Sequence, residues 1–255
     1  HVPSFEGDTA RFSYSFGDLR FNETLVFPGP SPHGESRPFR LLLNLTAFVL
    51  GVSYYKLRAP LVIASEIGLT DKERDFVLDV YENGLGEFYA RNELKRFGRL
   101  TFDVPERPMR LELPRFPRRA LVPMGGGKDS LVTVALIEAA GIEFTPFAVN
   151  PKGPILTSVE RIGREPLFVK RILDPEMIRL GDAPGYYNGH VPSTAINSMI
   201  AALCCILYGY NRIVLSNERS ASEGNGEWDG REVNHQYSKS LACEERIAGV
   251  LGTIG

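Results

Sequence analysis

Cysteine is scarce in this chain, with three residues, two of them adjacent (Cys204, Cys205) inside an apolar run. That excludes a disulfide framework and any C-x-x-C metal or redox spacing, and it fits a reducing compartment. Long apolar runs are lacking as well. The densest stretches, 41–52 and 194–208, are short and are interrupted by Asn44, Asn197 and Ser198, so neither reads as a membrane span. Charge of one sign is not in excess. Lys and Arg number 29 against 31 Asp and Glu, a formal net charge of −2, so the surface offers polyanions no general attraction and a nucleic-acid partner is disfavoured. No basic stretch followed by an apolar one opens the chain, and the expected location is the cytoplasm. No repeat or low-complexity tract appears. What is present, 255 residues of which 43% are hydrophobic and 24% charged, is globular composition sufficient for one large domain or two small ones.

Positions 11–27 alternate apolar and polar residues on either side of Gly17-Asp18, which predicts a β-hairpin with one buried face. A Pro- and Gly-rich turn leads to a dense apolar stretch, 40–55, expected as a buried helix, and then to a short apolar run at 61–64. Thr70 with Glu73 three residues on makes a capping box ahead of Phe76, Val77, Val80 and Tyr81 at helical spacing. Pro105, Pro108, Pro114 and Pro117 mark a connector. It divides an expected N-terminal α+β domain, 1–115, from a second domain, 116–255. The second reads as strand 120–124, a glycine loop, helix 130–140 with Gly141 at its C-terminus, strands at 144–149 and 167–172, helix 193–208 and strand 212–215. Such alternation predicts an α/β fold, an open parallel sheet with helices on both faces. Ligands in such sheets sit at the carboxyl ends of the strands. The segments after Met124 and Leu215 share that edge. An amphipathic helical pattern runs up to Leu251, and the chain is expected to be cut short there.

Gly125-Gly126-Gly127 lets the backbone approach an anion without Cβ interference, and the following helix supplies free N–H groups and a positive dipole end. Lys128 adds a mobile positive charge, Ser130 suits a helix cap or a phosphate oxygen, and Asp129 suits a hydrated Mg²⁺. Walker A spacing fails because Val122 stands in place of its first glycine and Asp129 follows the Lys. G-x-G-x-x-G fails because Ser130 stands in place of the third glycine. The loop resembles S-G-G-x-D-S, the signature of the PP-loop ATP pyrophosphatases, with Gly125 where the first Ser stands. The resemblance implies a PP-loop sheet of the adenine nucleotide alpha hydrolase-like kind, with ATP cleaved between its α and β phosphates. Asn150, after the second strand, and Ser216 and Asn217, after the fourth, lie on the same edge and are expected to contact the nucleotide.

The segment 216–239 reads SNERSASEGNGEWDGREVNHQYSK, a concentration of chemistry-capable side chains interrupted by the chain's only tryptophan, Trp228. With the loop 125–130, the strings SNERSASEGN (216–225) and WDGREVNHQYSKS (228–240) resemble the ATP-dependent UDP-N-acetylmuramoyl-L-alanyl-L-glutamate epimerases, the MurL family. The resemblance implies inversion of the terminal L-Glu of UDP-MurNAc-L-Ala-L-Glu to D-Glu in peptidoglycan precursor synthesis, with ATP and Mg²⁺ converting the acid to an acyl adenylate and releasing AMP and pyrophosphate.

Inversion needs groups that exchange protons on both faces of the α-carbon. His235, Lys239, Glu218 and Glu223 are the candidates, with Tyr237 and Cys243 in reserve. Arg219 and Arg231 suit carboxylates or a diphosphate as forked donors, and Ser220, Asn225, Asn234 and Tyr237 complete the expected substrate contacts. His190 precedes the long helix, and His33 lies in the early turn. Two other readings compete. One is a different PP-loop adenylating enzyme, an amide-forming ligase or a transfer-RNA modifier. The other is a nucleotide-binding module without turnover.

Overall fold

The alternating residues around Gly17 form a hairpin, β2 (Thr9–Phe16) and β3 (Leu19–Val26), preceded by the edge strand β1 (Ser4–Glu6). In the computed structural model, which describes residues 1–108 and 116–254 with the side chains of 253 and 254 left aside, β3 buries Phe21, Glu23 and Leu25 at period two. Helix α1 (Arg37–Tyr55) begins three residues ahead of expectation. Ser36 caps it by accepting from the Phe39 N–H, and Pro38 fits the first turn, where its missing N–H is no loss. Helix α2 (Asp71–Glu82) carries the expected capping box between Thr70 and Glu73. A small parallel pair, β4 (Val62–Ala64) with β5 (Thr101–Asp103), and the short helix α3 (Gly86–Arg91) complete the first half.

Beyond the connector, the chain alternates β6 (Arg119–Pro123), α4 (Lys128–Ala139), β7 (Glu143–Val149), α5 (Pro154–Ile162), β8 (Leu167–Ile172), α6 (Pro175–Gly181), α7 (Ser193–Tyr208) and β9 (Arg212–Ile213). Helices α5 and α6 were not anticipated, and β9 is two residues long where four were expected.

The expected parallel sheet is part of something larger. Seven strands hydrogen-bond in the order β1-β2-β3-β8-β7-β6-β9. Strands β8, β7, β6 and β9 are mutually parallel, while β3 adds antiparallel to β8 through Thr24–Ile172, Leu25–Arg171 and Val26–Lys170. The sheet is therefore mixed, a correction to the all-parallel expectation, and it crosses the connector. The cause is a free edge on β8 that the hairpin covers. A buried ion pair sits at the seam, with Arg171 Nε 2.5 Å from Glu23 Oε1.

The core crosses the connector too. Leu121 of β6 and Phe147 of β7 pack in one cluster with α1, α2 and α7, while Ala120 and Val122 face a smaller cluster with Val134 and Ile137 of α4. Successive strand residues point to opposite faces, so α4 and α7 lie on opposite sides of the sheet. The expected boundary at 115/116 falls at the edge of residues 109–115, which lie outside the described set.

The polar segment is not a loop throughout. It contains an antiparallel hairpin, β10 (Gly226–Trp228) and β11 (Arg231–Val233), flanked by single 3-10 turns at Arg219–Ser222 and Tyr237–Lys239. The hairpin turn is Asp229-Gly230, both at positive φ (51° and 75°), as an Asp-Gly two-residue turn requires. That dipeptide is the signal the sequence reading passed over. Helix α8 (Leu241–Ile254) closes the described chain. Among the described residues no helix is long and apolar enough to cross a membrane.

Candidate functional site

Strand β6 is where the order of the parallel strands reverses: the chain leaves it for β7 on one side, and β9 lies on the other. Loops leaving the carboxyl ends of such neighbours diverge and leave a crevice. A cavity of about 430 Å³ opens there. Met124, Gly125, Gly127, Asp129 and Ser130 line it from the glycine loop, and Leu215, Ser216, Asn217 and Glu218 from the segment after β9. Gln236 and Lys239 reach it from beyond the small hairpin, and Thr194, Asn197 and Ser198 from α7.

The loop is shaped by backbone rather than side chains. Gly126 has φ +76°, and a Cβ there would stand 3.0 Å from the Ile155 nitrogen, so this position excludes side chains on both counts. Gly127 is the N-cap of α4 and makes no side-chain cap. Of the two roles expected of Ser130, a helix cap or a phosphate contact, the first falls to Gly127. The Ser130 hydroxyl donates to the Gly127 carbonyl at 2.9 Å, which braces the loop from inside. The N–H groups of Gly127, Lys128 and Asp129 meet no acceptor among the described residues, so they point a free donor set outward from a helix N-terminus. The Asp129 carboxylate likewise has no hydrogen-bond or ion-pair partner and lines the cavity, where it could give a hard cation one oxygen ligand; among the described residues no group of three or more His, Cys, Asp or Glu is placed to hold a metal. Lys128 is exposed and stands outside the lining.

Other expected residues are divided between the cavity and the scaffold. Ser216 donates to Thr133 Oγ1 at 2.8 Å, Asn217 to Glu244 at 3.2 Å, and Glu218 accepts from Ser220 at 3.3 Å. The Lys239 ammonium has no hydrogen-bond or ion-pair partner among the described residues. Asn150, at φ 47°, uses both ends of its side chain on the Arg171 backbone, at 2.7 and 2.9 Å. Arg231 binds Glu82 at 2.8 Å and lies over the Phe97 ring. Asn234 bonds the Ala221 carbonyl and the Gln236 N–H, and Asn225 accepts from the His235 N–H. Tyr237 donates to Asp79 at 2.5 Å, and burial, reinforced by that carboxylate, pushes its hydroxyl well above the usual phenol range. Trp228 donates to the Leu94 carbonyl at 2.9 Å. Arg219, Glu223 and His235 are exposed and outside the lining.

Burial pushes the thiol of Cys243, one of the reserve candidates, up to about 12, and that of Cys205 in the apolar run likewise to about 12, so both stay protonated. His190 is half-buried, and its imidazolium is disfavoured first by burial and then by the nearby His235 and Lys239, against the pull of Glu87. His33 packs against Phe116. Sequence reasoning missed Thr194, Asn197, Ser198 and Gln236. The signal was available for the first three, as polar residues at i, i+3 and i+4 in a helix that is otherwise apolar.

The fold and cleft together define a class: an α/β protein whose ligand-sized crevice lies at the carboxyl edge of its parallel strands. Comparison with known proteins narrows it. The model of the MurL N-terminal domain matches residues 4–254, and the chain belongs to that family. Relatives include proteins named UDP-N-acetyl-alpha-D-muramoyl-L-alanyl-L-glutamate epimerase. One from Micromonospora sp. is 37% identical over 98% of this chain and 58% of its own length. One from Salinispora tropica is 37% identical over 98% and 57%, and one from Xanthomonas oryzae pv. oryzae is 39% identical over 88% and 50%. The chain thus spans between half and about three-fifths of the length of these curated relatives. No solved structure matches.

Proposed function

We propose that this chain is the ATP-handling part of an enzyme that epimerises the terminal L-Glu of UDP-MurNAc-L-Ala-L-Glu to D-Glu, with ATP cleaved to AMP and pyrophosphate. The observation that carries the reading is the meeting, in one cavity between β6 and β9, of the uncapped glycine loop and the polar segment 216–239. The names of the relatives state the substrate and the reaction class. The PP-loop reading of the β6 to β9 half supplies the adenylation.

The chemistry has a clear motive. Removing the α-proton beside an ionised carboxylate would place two negative charges together. Conversion of the carboxylate to an acyl adenylate removes one of them, so the enolate becomes accessible and can be reprotonated on the other face before hydrolysis. In this reading the free N–H groups of the loop, with Lys128, hold the terminal phosphates, and Asp129 holds Mg²⁺, which neutralises phosphate charge. Glu218 and Lys239, the members of the expected acid–base set that line the cavity, handle protons. His235 and Glu223 lie outside it and are given no step.

The test is incubation of the complete protein with ATP, Mg²⁺ and UDP-MurNAc-L-Ala-L-Glu in D₂O, assaying pyrophosphate, α-deuterium and chirality together. Pyrophosphate with deuterated D-Glu is expected. Pyrophosphate without exchange would leave adenylation and remove epimerisation, and no pyrophosphate would remove both.

A further inference from the structure

Helix α7 gives the cavity a wall that the proposal above does not use. Of its 16 residues, Ala195, Ile196, Met199, Ile200, Leu203 and Cys204 are buried in the core, as expected of a helix lying against a sheet. Thr194, Asn197 and Ser198 depart from that pattern. Their spacing places them on one face, and all three line the cavity.

Three observations point to a ligand on that face. First, α7 is uncapped: its N-cap is Pro192, which makes no side-chain cap, and the N–H groups of Thr194 and Ala195 meet no acceptor among the described residues. Second, none of the three side chains has a hydrogen-bond partner among those residues. Third, Ser198 is only 2% exposed, and its Oγ is buried without a partner. A buried hydroxyl left unpaired is costly and uncommon, and it needs an explanation. The free Thr194 N–H in the first turn of a 16-residue helix, with the unpaired Asn197 and Ser198 side chains in its second turn, faces the cavity and supplies one: an anion completes them.

The charge of that anion follows from the neighbours. The titratable groups facing the cavity are Asp129, Glu218 and Lys239, two acidic and one basic, and the α7 face itself is uncharged. Neutral donors with a helix dipole match a single negative charge rather than a polyphosphate, for which the glycine loop and Lys128 are better suited. We propose that the Thr194, Asn197 and Ser198 face of α7 is a carboxylate subsite, holding one glutamyl carboxylate of the acid substrate while the nucleotide occupies the glycine loop. This rests on the reading of the cavity as the adenylation site.

Calorimetric titration of the complete protein with UDP-MurNAc-L-Ala-L-Glu and, separately, with Mg-ATP tests it. Asn197→Asp sets a negative charge against the carboxylate and is expected to weaken the dipeptide ligand by about tenfold or more, with a clearly smaller loss for Mg-ATP, which lies in the same cavity on the glycine-loop side. Ser198→Ala removes an unpaired hydroxyl, so the fold is retained and the same selective weakening is expected on a smaller scale. Analogues carrying an amide in place of either glutamyl carboxylate add a control: one of the two is expected to bind the unsubstituted protein weakly and to be indifferent to Asn197→Asp. Unchanged dipeptide binding in folded Asn197→Asp and Ser198→Ala, or loss of Mg-ATP instead, overturns the subsite. Failure of Mg-ATP to bind the unsubstituted protein overturns the adenylation reading, and the dipeptide titrations then still decide the subsite.

Discussion

Tyr237, Arg231, Asn150 and Asn234 have the chemistry of ligand-binding residues, and in the structure each is committed to another part of the protein. Tyr237 shows what that commitment is worth. Asp79 is 7% exposed, takes hydrogen bonds from Tyr237 and Asn83 and forms an ion pair with Arg246, Nε to Oδ1 at 3.1 Å, which ties the polar segment and α8 to α2. Hydrogen bonds to a buried charge contribute more than neutral ones. Tyr237→Phe is therefore expected to cost about 1.5–3 kcal/mol in urea unfolding, with Mg-ATP affinity little changed. A large loss of substrate affinity at unchanged stability would instead return Tyr237 to the substrate contacts. Asp129, Lys239, Thr194, Asn197 and Ser198 show the opposite character, since their side chains have no hydrogen-bond or ion-pair partner among the described residues.

Between elements, the seam of β3 and β8 holds the most buried charged side chain among the described residues. Glu23 is fully buried, with one carboxylate oxygen on Arg171 and the Tyr54 hydroxyl beside it, while Arg171 also donates to Ser53 at 2.9 Å. Burial raises the Glu23 carboxyl above its ordinary value, and Arg171 pulls against that rise. Arg171→Met removes the main opposition to burial, so that only Tyr54 opposes it, and leaves an uncompensated charge inside, an expected loss of about 3–5 kcal/mol near neutral pH. A carboxyl whose folded value is raised stabilises the fold below its unfolded value, and that contribution is lost as pH rises through the folded one. The deficit of Arg171→Met should accordingly shrink as pH falls toward the ordinary carboxylate range. Urea midpoints of both proteins across acid to neutral pH check this, and a deficit independent of pH would show that Glu23 is not its source. The hairpin β10–β11 makes a different point at this scale. Its Asp229-Gly230 turn was readable, but its role in pinning the polar segment through Trp228 on Leu94 and Arg231 on Glu82 was not, because both partners lie more than 100 residues away.

For the whole molecule, one sheet and one core join the halves on either side of the connector, so a ligand bound between β6 and β9 should stabilise everything that unfolds with that core. If ATP binds the native state alone, a concentration of about one hundred times its dissociation constant adds about 2.7 kcal/mol. For a chain of this size that corresponds to a rise of roughly 5–10 °C in Tm. Mg-ATP is expected to produce it in a thermal melt, and Lys128→Ala to reduce it sharply. A melt unmoved by saturating Mg-ATP would count against nucleotide binding at the loop.

Local signals determined a good share of this protein. Period-two alternation specified the β2–β3 hairpin, a capping box specified α2, and glycines between a strand and a helix specified the loop before α4, because each depends on residues within a turn or two of one another. The loop and Ser216, Asn217, Glu218 and Lys239 were likewise legible as parts of one edge. Tertiary structure alone decided the rest. Pairing of β3 with β8 joins residues nearly 150 positions apart through backbone hydrogen bonds that any side chain permits, so no pattern announces it. Whether Asn150 or Arg231 is a ligand contact or a strut depends on which backbone or carboxylate stands opposite. The wall formed by α7 depends on how the helix is rotated against the sheet, which is set by burial of its apolar face as a whole and leaves Thr194, Asn197 and Ser198 turned to the cavity.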